Sequence, residues 1–180
     1  EDKRPELTNA QRKMLSHYDN ATLYNDSIVA QIVKRFQKQD AIVIYVPDHG
    51  EECYEENRGF ICRNHSAEID WPLAHYEFEI PFWIYCSPKY IRNHRDIYRQ
   101  IRKAKDKRFM TDALPHLLLY LAGIETPTYK EEYNILSPKY DEMRPRILKN
   151  SADYDKLRDA HLEKIKKEES KKVKKKERRN

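Results

Sequence analysis

The sequence predicts an α/β fold, and two apolar runs with the segment before them carry that prediction. Residues 41–46 form an unbroken run rich in β-branched side chains, and residues 79–86 form a second run. Runs of this length bounded by proline and glycine are typical of strands buried on both faces, as in a parallel sheet. A helix over residues 8–39 leads directly into the first run. This succession predicts the helix-to-strand unit of a layered α/β sandwich.

The helix over residues 8–39 is predicted from its start and from its spacing. Thr8 and Gln11 match a capping box, in which two side chains satisfy free amide donors at a helix start. Apolar and aromatic side chains then recur at helical spacing and fall on one face. They are Met14, Tyr18, Ala21, Ile28, Ile32 and Phe36.

The segment between the two strands differs in character from the elements after it. Residues 51–79 are polar and irregular, and a loop that long inside a compact domain is usually functional or disordered. After the second strand, Ser87 and the proline behind it predict the start of a basic helix over roughly residues 88–105. A core helix that ends at Gly123 comes next, and a short strand is expected near residues 146–149.

Positive charge is concentrated at one end of the chain. Charged residues make up 36% of the 180 residues, and the mean hydropathy is −1.00. Residues 161–180 hold ten Lys or Arg and four Glu, a balance of +6, whereas the whole chain carries +5. We expect a domain over residues 1–155 and a basic, helical or disordered tail over residues 156–180, because the tail has too few apolar side chains to fold alone. No apolar run approaches the roughly 20 residues of a membrane span, and we identify no targeting segment.

A candidate metal site follows the first predicted strand. Asp48 and His49 stand where ligands bind in open α/β sheets, just beyond the carboxyl end of a strand. A carboxylate and an imidazole are both good ligands for zinc or a similar divalent ion. Gly50 would let the backbone turn sharply behind them. The alternative is a strand followed by an ordinary Asx-type turn that contains a histidine.

Four charged residues of the long loop are weaker candidates. Arg58 and Arg63 match phosphate in geometry, because a guanidinium fork fits phosphate oxygens. Glu51 and Glu52 would be placed to orient a metal-bound histidine from outside the ligand set. For all four, the alternative is a solvated charge at the surface.

Five segments follow one another in a recognisable order, namely residues 18–26, 41–52, 79–84, 111–116 and 121–124. Together they resemble the sulfatase-like phosphoethanolamine transferases of the alkaline phosphatase superfamily. The resemblance extends over about residues 7–155 and rests on the order of the motifs rather than on any one of them. It implies a partial α/β/α sandwich of the alkaline phosphatase and sulfatase type, corresponding to the C-terminal part of the catalytic domain.

The resemblance also implies a chemistry and a place. The family moves phosphoethanolamine from a phospholipid donor to lipid A or another envelope glycolipid, on the periplasmic side of the inner membrane. It uses a zinc-activated threonine that becomes phosphorylated. Asp48 and His49 would then be two zinc ligands, and His65 would contact the substrate phosphate. We interpret His75 and His116 as structural.

The sequence departs from the family pattern in two respects. Pro47 stands where the family has serine or threonine before the Asp-His pair. The nucleophilic threonine and the remaining ligands lie upstream in the family, and no threonine here has that context. We therefore expect this chain alone to be inactive and to require an N-terminal part of the same protein. Zinc and manganese both remain open, and so does hydrolysis of a sulfate or phosphate ester as the reaction.

A second hypothesis needs no catalysis. The basic helix over residues 88–105 and the basic tail would hold an anionic membrane surface, since clusters of Lys and Arg are attracted to acidic lipids. We expect no binding to nucleic acid, because the chain contains no known reading motif.

Overall fold

The computed structural model describes residues 4–55, 58 and 68–177, which form helices and short strands. In chain order the elements are α1 (Asn9–Phe36), β1 (Ile42–Tyr45), α2 (Trp71–Phe78), β2 (Trp83–Cys86), α3 (Pro88–Asn93), α4 (Arg95–Ala104), α5 (Leu114–Ala122), β3 (Ile147–Leu148), β4 (Ala152–Asp153) and α6 (Tyr154–Glu177). They divide between a first compact unit, Glu1–Pro47 with Pro81–Glu142, and a second, Asp48–Ile80 with Met143–Asn180. Within the described ranges, no helix is both long and apolar enough to cross a membrane.

Helix α1 begins where the capping signal predicts. The Thr8 hydroxyl accepts from the amide of Gln11, and the Gln11 side chain accepts from the amide of Thr8 at 2.8 Å. The helix buries none of its own residues. Apolar side chains along it remain open to solvent, and Leu23 and Tyr24 are 68% and 70% exposed. Packing, which normally stabilises a helix more than propensity does, is therefore sparse along α1.

Strand β1 differs from the expectation of a strand buried on both faces. It pairs antiparallel with β2, in a register that aligns Ile42 with Cys86 and Tyr45 with Trp83. All four of its residues are half-buried. The reason is that this sheet has two strands among the described residues, and two strands cannot enclose each other. The rings of Tyr45 and Trp83 stack with centroids 5.2 Å apart, which secures the register at that end.

Ser87 joins the ends of the two strands to the next helix. Its hydroxyl is fully buried, donates to the Gln39 carbonyl at 2.6 Å and accepts from the Tyr90 amide at 3.0 Å. The predicted cap at Ser87 is thereby confirmed. The predicted single helix over residues 88–105 is wrong, because His94 has a non-helical ψ of 50° that separates α3 from α4.

The core of the first unit lies around α4 and α5. Its buried residues are Ala104, Leu117, Ile135 and Leu136. Gly123 ends α5 in the left-handed conformation, with φ of 67°, as the sequence predicts. Leu117 is fully buried, so it anchors α5 to this core.

The second unit contains helix α2, which lies within the segment 51–79 predicted to be an irregular loop. The loop prediction is therefore wrong for residues 71–78. Helix α2 is capped by Asp70, whose carboxylate accepts from the Leu73 amide at 3.0 Å. It packs against α6, and buried Leu73 and Ala74 belong to one cluster with Leu148 of β3 and Tyr154 of α6.

The described part of the basic tail, up to Glu177, is helical and continues α6 without a break. The predicted tail boundary at residue 155 falls inside the first turn of α6, and residues 162–172 are all exposed. The predicted short strand near residues 146–149 is confirmed as β3, which pairs antiparallel with β4.

Candidate functional site

Asp48 and His49 lie side by side immediately after β1. The Asp48 carboxylate is 83% exposed, and its Oδ2 atom lies 3.6 Å from Nε2 of His49. Zinc binds imidazole nitrogen and carboxylate oxygen at about 2.0–2.2 Å, so two donors on one ion lie roughly 3–4 Å apart. The observed separation therefore fits two ligands of a single divalent ion.

The orientation of the His49 ring is set by its other nitrogen. Nδ1 lies 2.8 Å from the Gly50 carbonyl, to which it donates a hydrogen bond. In the neutral form of an imidazole that donates through Nδ1, the lone pair is on Nε2, which here lies on the side of Asp48. Metal-bound histidines almost always have their second nitrogen held in this way, which fixes the tautomer and the ring.

Glu51 lies beside the His49 ring. Its Oε1 atom lies 3.7 Å from Nδ1 of His49, and the side chain is 24% exposed. That distance is too long for a direct hydrogen bond, so the Gly50 carbonyl rather than Glu51 is the hydrogen-bond partner of Nδ1.

Glu52 and Arg58 are not the solvated surface charges that the sequence also allows. The Glu52 side chain is fully buried, and its Oε1 atom lies 2.6 Å from Nε of Arg58. Burial raises the pKa of Glu52, and the Arg58 charge offsets part of that rise. Arg58 also forms an ion pair and a hydrogen bond with Asp70, the cap of α2. These three residues tie the segment after His49 to the start of α2.

Gly50 has a different role from the predicted one. Among the described residues the glycine with a positive φ is Gly123, so Gly50 does not serve as a left-handed turn. It lies instead against the last turn of α2, where its amide donates to the Glu77 carbonyl at 2.8 Å. A Cβ atom added at Gly50 would lie 2.2 Å from the carbonyl oxygen of Tyr76. Lack of space, rather than backbone conformation, requires glycine here.

The other candidate residues divide between structural roles and the undescribed part of the chain. His116 accepts a hydrogen bond through Nδ1 from the Lys130 amide at 3.1 Å, and His75 stacks on Trp71 with centroids 5.4 Å apart. Both contacts agree with the structural interpretation. His65 and Arg63 lie outside the described residues.

The described residues supply an incomplete ligand set. Within residues 4–55, 58 and 68–177, no group of three or more His, Cys, Asp or Glu side chains is arranged to hold a metal. A catalytic zinc usually takes three protein ligands and an open position. A metal site that included Asp48 and His49 would therefore need at least one further ligand.

Comparison with known proteins identifies the family. The sulfatase family profile matches residues 1–124, which is more than half of the 180-residue chain. The chain belongs to the sulfatase family. The resemblance inferred from the five motifs is thereby confirmed.

Curated relatives of this sulfatase-family chain are phosphoethanolamine transferases. Phosphoethanolamine transferase EptC from Escherichia coli O18:K1:H7 is 30% identical over 141 residues, which cover 77% of this chain and 23% of EptC. Kdo(2)-lipid A phosphoethanolamine 7''-transferase from Escherichia coli K12 is 31% identical over 99 residues, which cover 53% of this chain and 16% of that enzyme. The chain thus spans roughly a quarter or less of the length of these relatives.

Solved structures give the same fold. The C-terminal periplasmic domain of EptC from Escherichia coli, determined in complex with zinc, matches with a TM-score of 0.69 and 28% identity over 87% of this chain and 44% of that domain. The corresponding domain of EptC from Campylobacter jejuni has a TM-score of 0.56 and 22% identity over 78% of this chain, which supports the fold alone. The predicted α/β fold of the alkaline phosphatase and sulfatase type is confirmed.

Proposed function

We propose that this chain is part of the catalytic domain of a transferase that moves phosphoethanolamine from a phospholipid to lipid A or another envelope glycolipid. The observation that carries the proposal is the Asp48–His49 pair, with Nδ1 of His49 bound to the Gly50 carbonyl and Nε2 turned toward the carboxylate. The likeness to phosphoethanolamine transferases over 77% of the chain supports it. The working place of the whole protein is then the periplasmic face of the inner membrane.

The proposed metal is zinc, with manganese or another divalent cation as the alternative. Asp48 and His49 would bind it, and a relative with the same fold was solved in complex with zinc. When bound, such an ion polarises a phosphoryl oxygen and activates a hydroxyl nucleophile. The chain's own contribution is to hold one carboxylate and one correctly protonated imidazole at a fixed separation.

Other parts of the machinery are proposed outside the described residues or outside this chain. His65 is proposed to contact the phosphate of the substrate. The threonine nucleophile and the remaining ligands are proposed to come from an N-terminal part of the same protein. The proposed reaction then passes through a phospho-threonine, in which the threonine oxygen replaces the diacylglycerol oxygen on phosphorus and later gives way to a hydroxyl of the acceptor lipid.

Lipid analysis of cells that express the full-length parent protein tests this function. Lipid A is extracted and analysed by mass spectrometry for added phosphoethanolamine. Asp48→Ala/His49→Ala should abolish the modification. A matched control is His17→Ala/Asp19→Ala, which removes the same residue types from the exposed surface of α1 and should leave the modification unchanged. Modification that survives the loss of Asp48 and His49 would contradict the proposal.

Ester hydrolysis is the alternative reaction, and the sulfatase profile favours it as the second choice. A hydrolase would release sulfate or phosphate from a soluble ester and leave lipid A unchanged. Assays of the same full-length preparations with aryl sulfate and aryl phosphate esters separate the two reactions. Turnover of either ester that depends on Asp48 and His49, without lipid A modification, would favour hydrolysis.

A basic surface on α4 supports an anionic membrane surface as a further partner. Arg95, Arg99 and Arg102 are exposed, and their spacing of four and three residues places them on one helical face. The apolar Ile101 of the same helix packs toward the core. Guanidinium groups fit phosphate, so this face is suited to phospholipid headgroups.

Cosedimentation with vesicles tests this surface. The chain should bind acidic vesicles at low salt and lose that binding at high salt, because exposed charges are screened over about 8 Å at physiological ionic strength. Replacing the three arginines of α4 by glutamine should weaken the binding. Replacing three lysines of α6 by glutamine measures how much the basic tail contributes to vesicle binding. Equal binding to neutral vesicles would contradict an electrostatic interaction.

A further inference from the structure

Helix α2 contacts the candidate metal site through a residue that is not itself a ligand. The Gly50 amide donates to the Glu77 carbonyl at 2.8 Å, and the Gly50 α-carbon lies so close to the Tyr76 carbonyl that no larger residue fits. The Gly50 carbonyl in turn accepts from Nδ1 of His49. One residue therefore touches both the helix and the imidazole.

A second connection joins the same loop to the other end of α2. Buried Glu52 pairs with Arg58, whose guanidinium also pairs with Asp70. Asp70 caps α2 through the Leu73 amide. The segment that follows His49 is thus fastened to the first turn of the helix, while Gly50 is fastened to the last.

Contacts with α6 also hold the helix. The Trp71 ring stacks on His161 of α6 with centroids 5.1 Å apart, and on His75 of its own helix with centroids 5.4 Å apart. Leu73 and Ala74 are completely buried in a cluster that includes Tyr154. A short helix held by these contacts offers a rigid base for the loop that packs on it.

We infer that α2 positions the metal ligands, with Gly50 and the Glu52–Arg58–Asp70 bridge as positioning residues that never contact the metal. The inference rests on the proposed function, because it takes Asp48 and His49 as ligands. Gly50 orients the imidazole through its carbonyl. Its close contact with Tyr76 fixes the distance between the loop and α2. The bridge keeps the chain after Gly50 from lifting away from the helix.

Cobalt titration of the full chain tests the inference, because Co²⁺ binds the same nitrogen and oxygen donors and absorbs visible light. Gly50→Ala should weaken Co²⁺ binding by roughly 10–100-fold, the range for residues that orient ligands, and should change the visible spectrum. Gly123→Ala is the matched control. Its added methyl meets nothing within 4 Å but strains a left-handed residue, so it lowers the unfolding temperature without changing Co²⁺ affinity or the spectrum.

The bridge is tested by near-isosteric replacements. Glu52→Gln and Asp70→Asn remove one charge each, and asparagine still caps a helix well. Each should weaken Co²⁺ binding while the helical circular dichroism stays as in the wild type. If Gly50→Ala and both bridge variants bind Co²⁺ as the wild type does, the inference is overturned.

Amide hydrogen exchange without metal separates this inference from the proposed function. Exchange at residues 49–52 should be faster in Gly50→Ala than in the wild type or in Gly123→Ala. Unchanged exchange would overturn the inference whatever the metal result. Co²⁺ binding that is indifferent to Asp48→Ala/His49→Ala would overturn the proposed metal ligands, and faster exchange in Gly50→Ala would still support α2 as the base of the loop.

Discussion

Truncating α6 at two points should separate the part of the helix that packs from the part that does not. Its first two turns contribute to the second unit, since Tyr154 is buried, Leu157 packs against the same cluster and the His161 ring stacks on Trp71. From residue 162 to residue 172 every position is exposed. The expected division at residue 155 therefore passes through a packed contact.

The expected loss in free energy of unfolding follows from Leu157 and His161, which a chain that ends after Lys156 lacks. Burying a leucine fully stabilises by about 1.5–3 kcal/mol, and Leu157 is partly buried. A stacked ring pair adds about 0.5–1.5 kcal/mol. A chain that ends after Lys156 should thus lose about 2–3 kcal/mol. For a protein of this size that is a fall in Tm of roughly 4–12 °C.

A chain that ends after Ile165 keeps both contacts and should unfold within about 2 °C of the full chain, because surface changes of this kind stay within about 0.5 kcal/mol. Thermal unfolding followed by circular dichroism measures both truncations and the full chain under one condition. Equal Tm values for the two truncations would refute the packing assigned to Leu157 and His161. A large loss after Ile165 would show that the exposed turns also pack.

Three further predictions follow from single residues and from the ligand count. Burial and the hydrogen bond to Glu79 raise the pKa of Tyr154 to about 12. The neutral phenol therefore stabilises the fold below a pH of about 10, and this contribution, about 2–3 kcal/mol, is lost as the pH rises toward 12. Urea unfolding at pH 9 to 12 should show this extra loss in the wild type and not in Tyr154→Phe. Leu117→Ala should lower the free energy of unfolding in urea by about 2–5 kcal/mol, because Leu117 is fully buried. Leu118→Ala changes a neighbour that is 45% exposed and should lower it by less than about 0.5 kcal/mol. The chain alone should bind zinc weakly by calorimetry and turn over no phosphate ester, and tight stoichiometric binding with turnover would show that its own residues complete the site.

Elements with local signals were predictable from the sequence. The capping box at Thr8 starts α1 at the expected residue, and Gly123 ends α5 as expected. Helix α2 carries a comparable signal in Asp70 followed by Trp71 and Pro72, a cap with proline in the first turn. It was hidden inside a polar stretch and is only eight residues long, too short for apolar periodicity to mark it.

Features that depend on distant contacts were not predictable. The residues of β1 specify a strand, but the direction and number of its neighbours are fixed by pairing with residues about 40 positions away. Asp48 and His49 were predictable as a candidate ligand pair because they are neighbours in the sequence, so no long-range contact is needed to bring them together. The burial of Glu52 and the contact of Gly50 with Tyr76 arise from the docking of a loop on a helix, which no local pattern records.

The interleaving of the two compact units has a consequence for the order of assembly during synthesis. The chain leaves the first unit after Pro47, returns at Pro81 and leaves again after Glu142. The ribosome therefore synthesises both strands of the β1–β2 pair well before α6, and Trp71 precedes its stacking partner His161 by 90 residues. Domains tend to fold in the order in which their parts emerge. Within this chain, the packing of α2 beneath the Asp48–His49 loop is thus completed only after residues up to His161 have emerged, later than the β1–β2 pair.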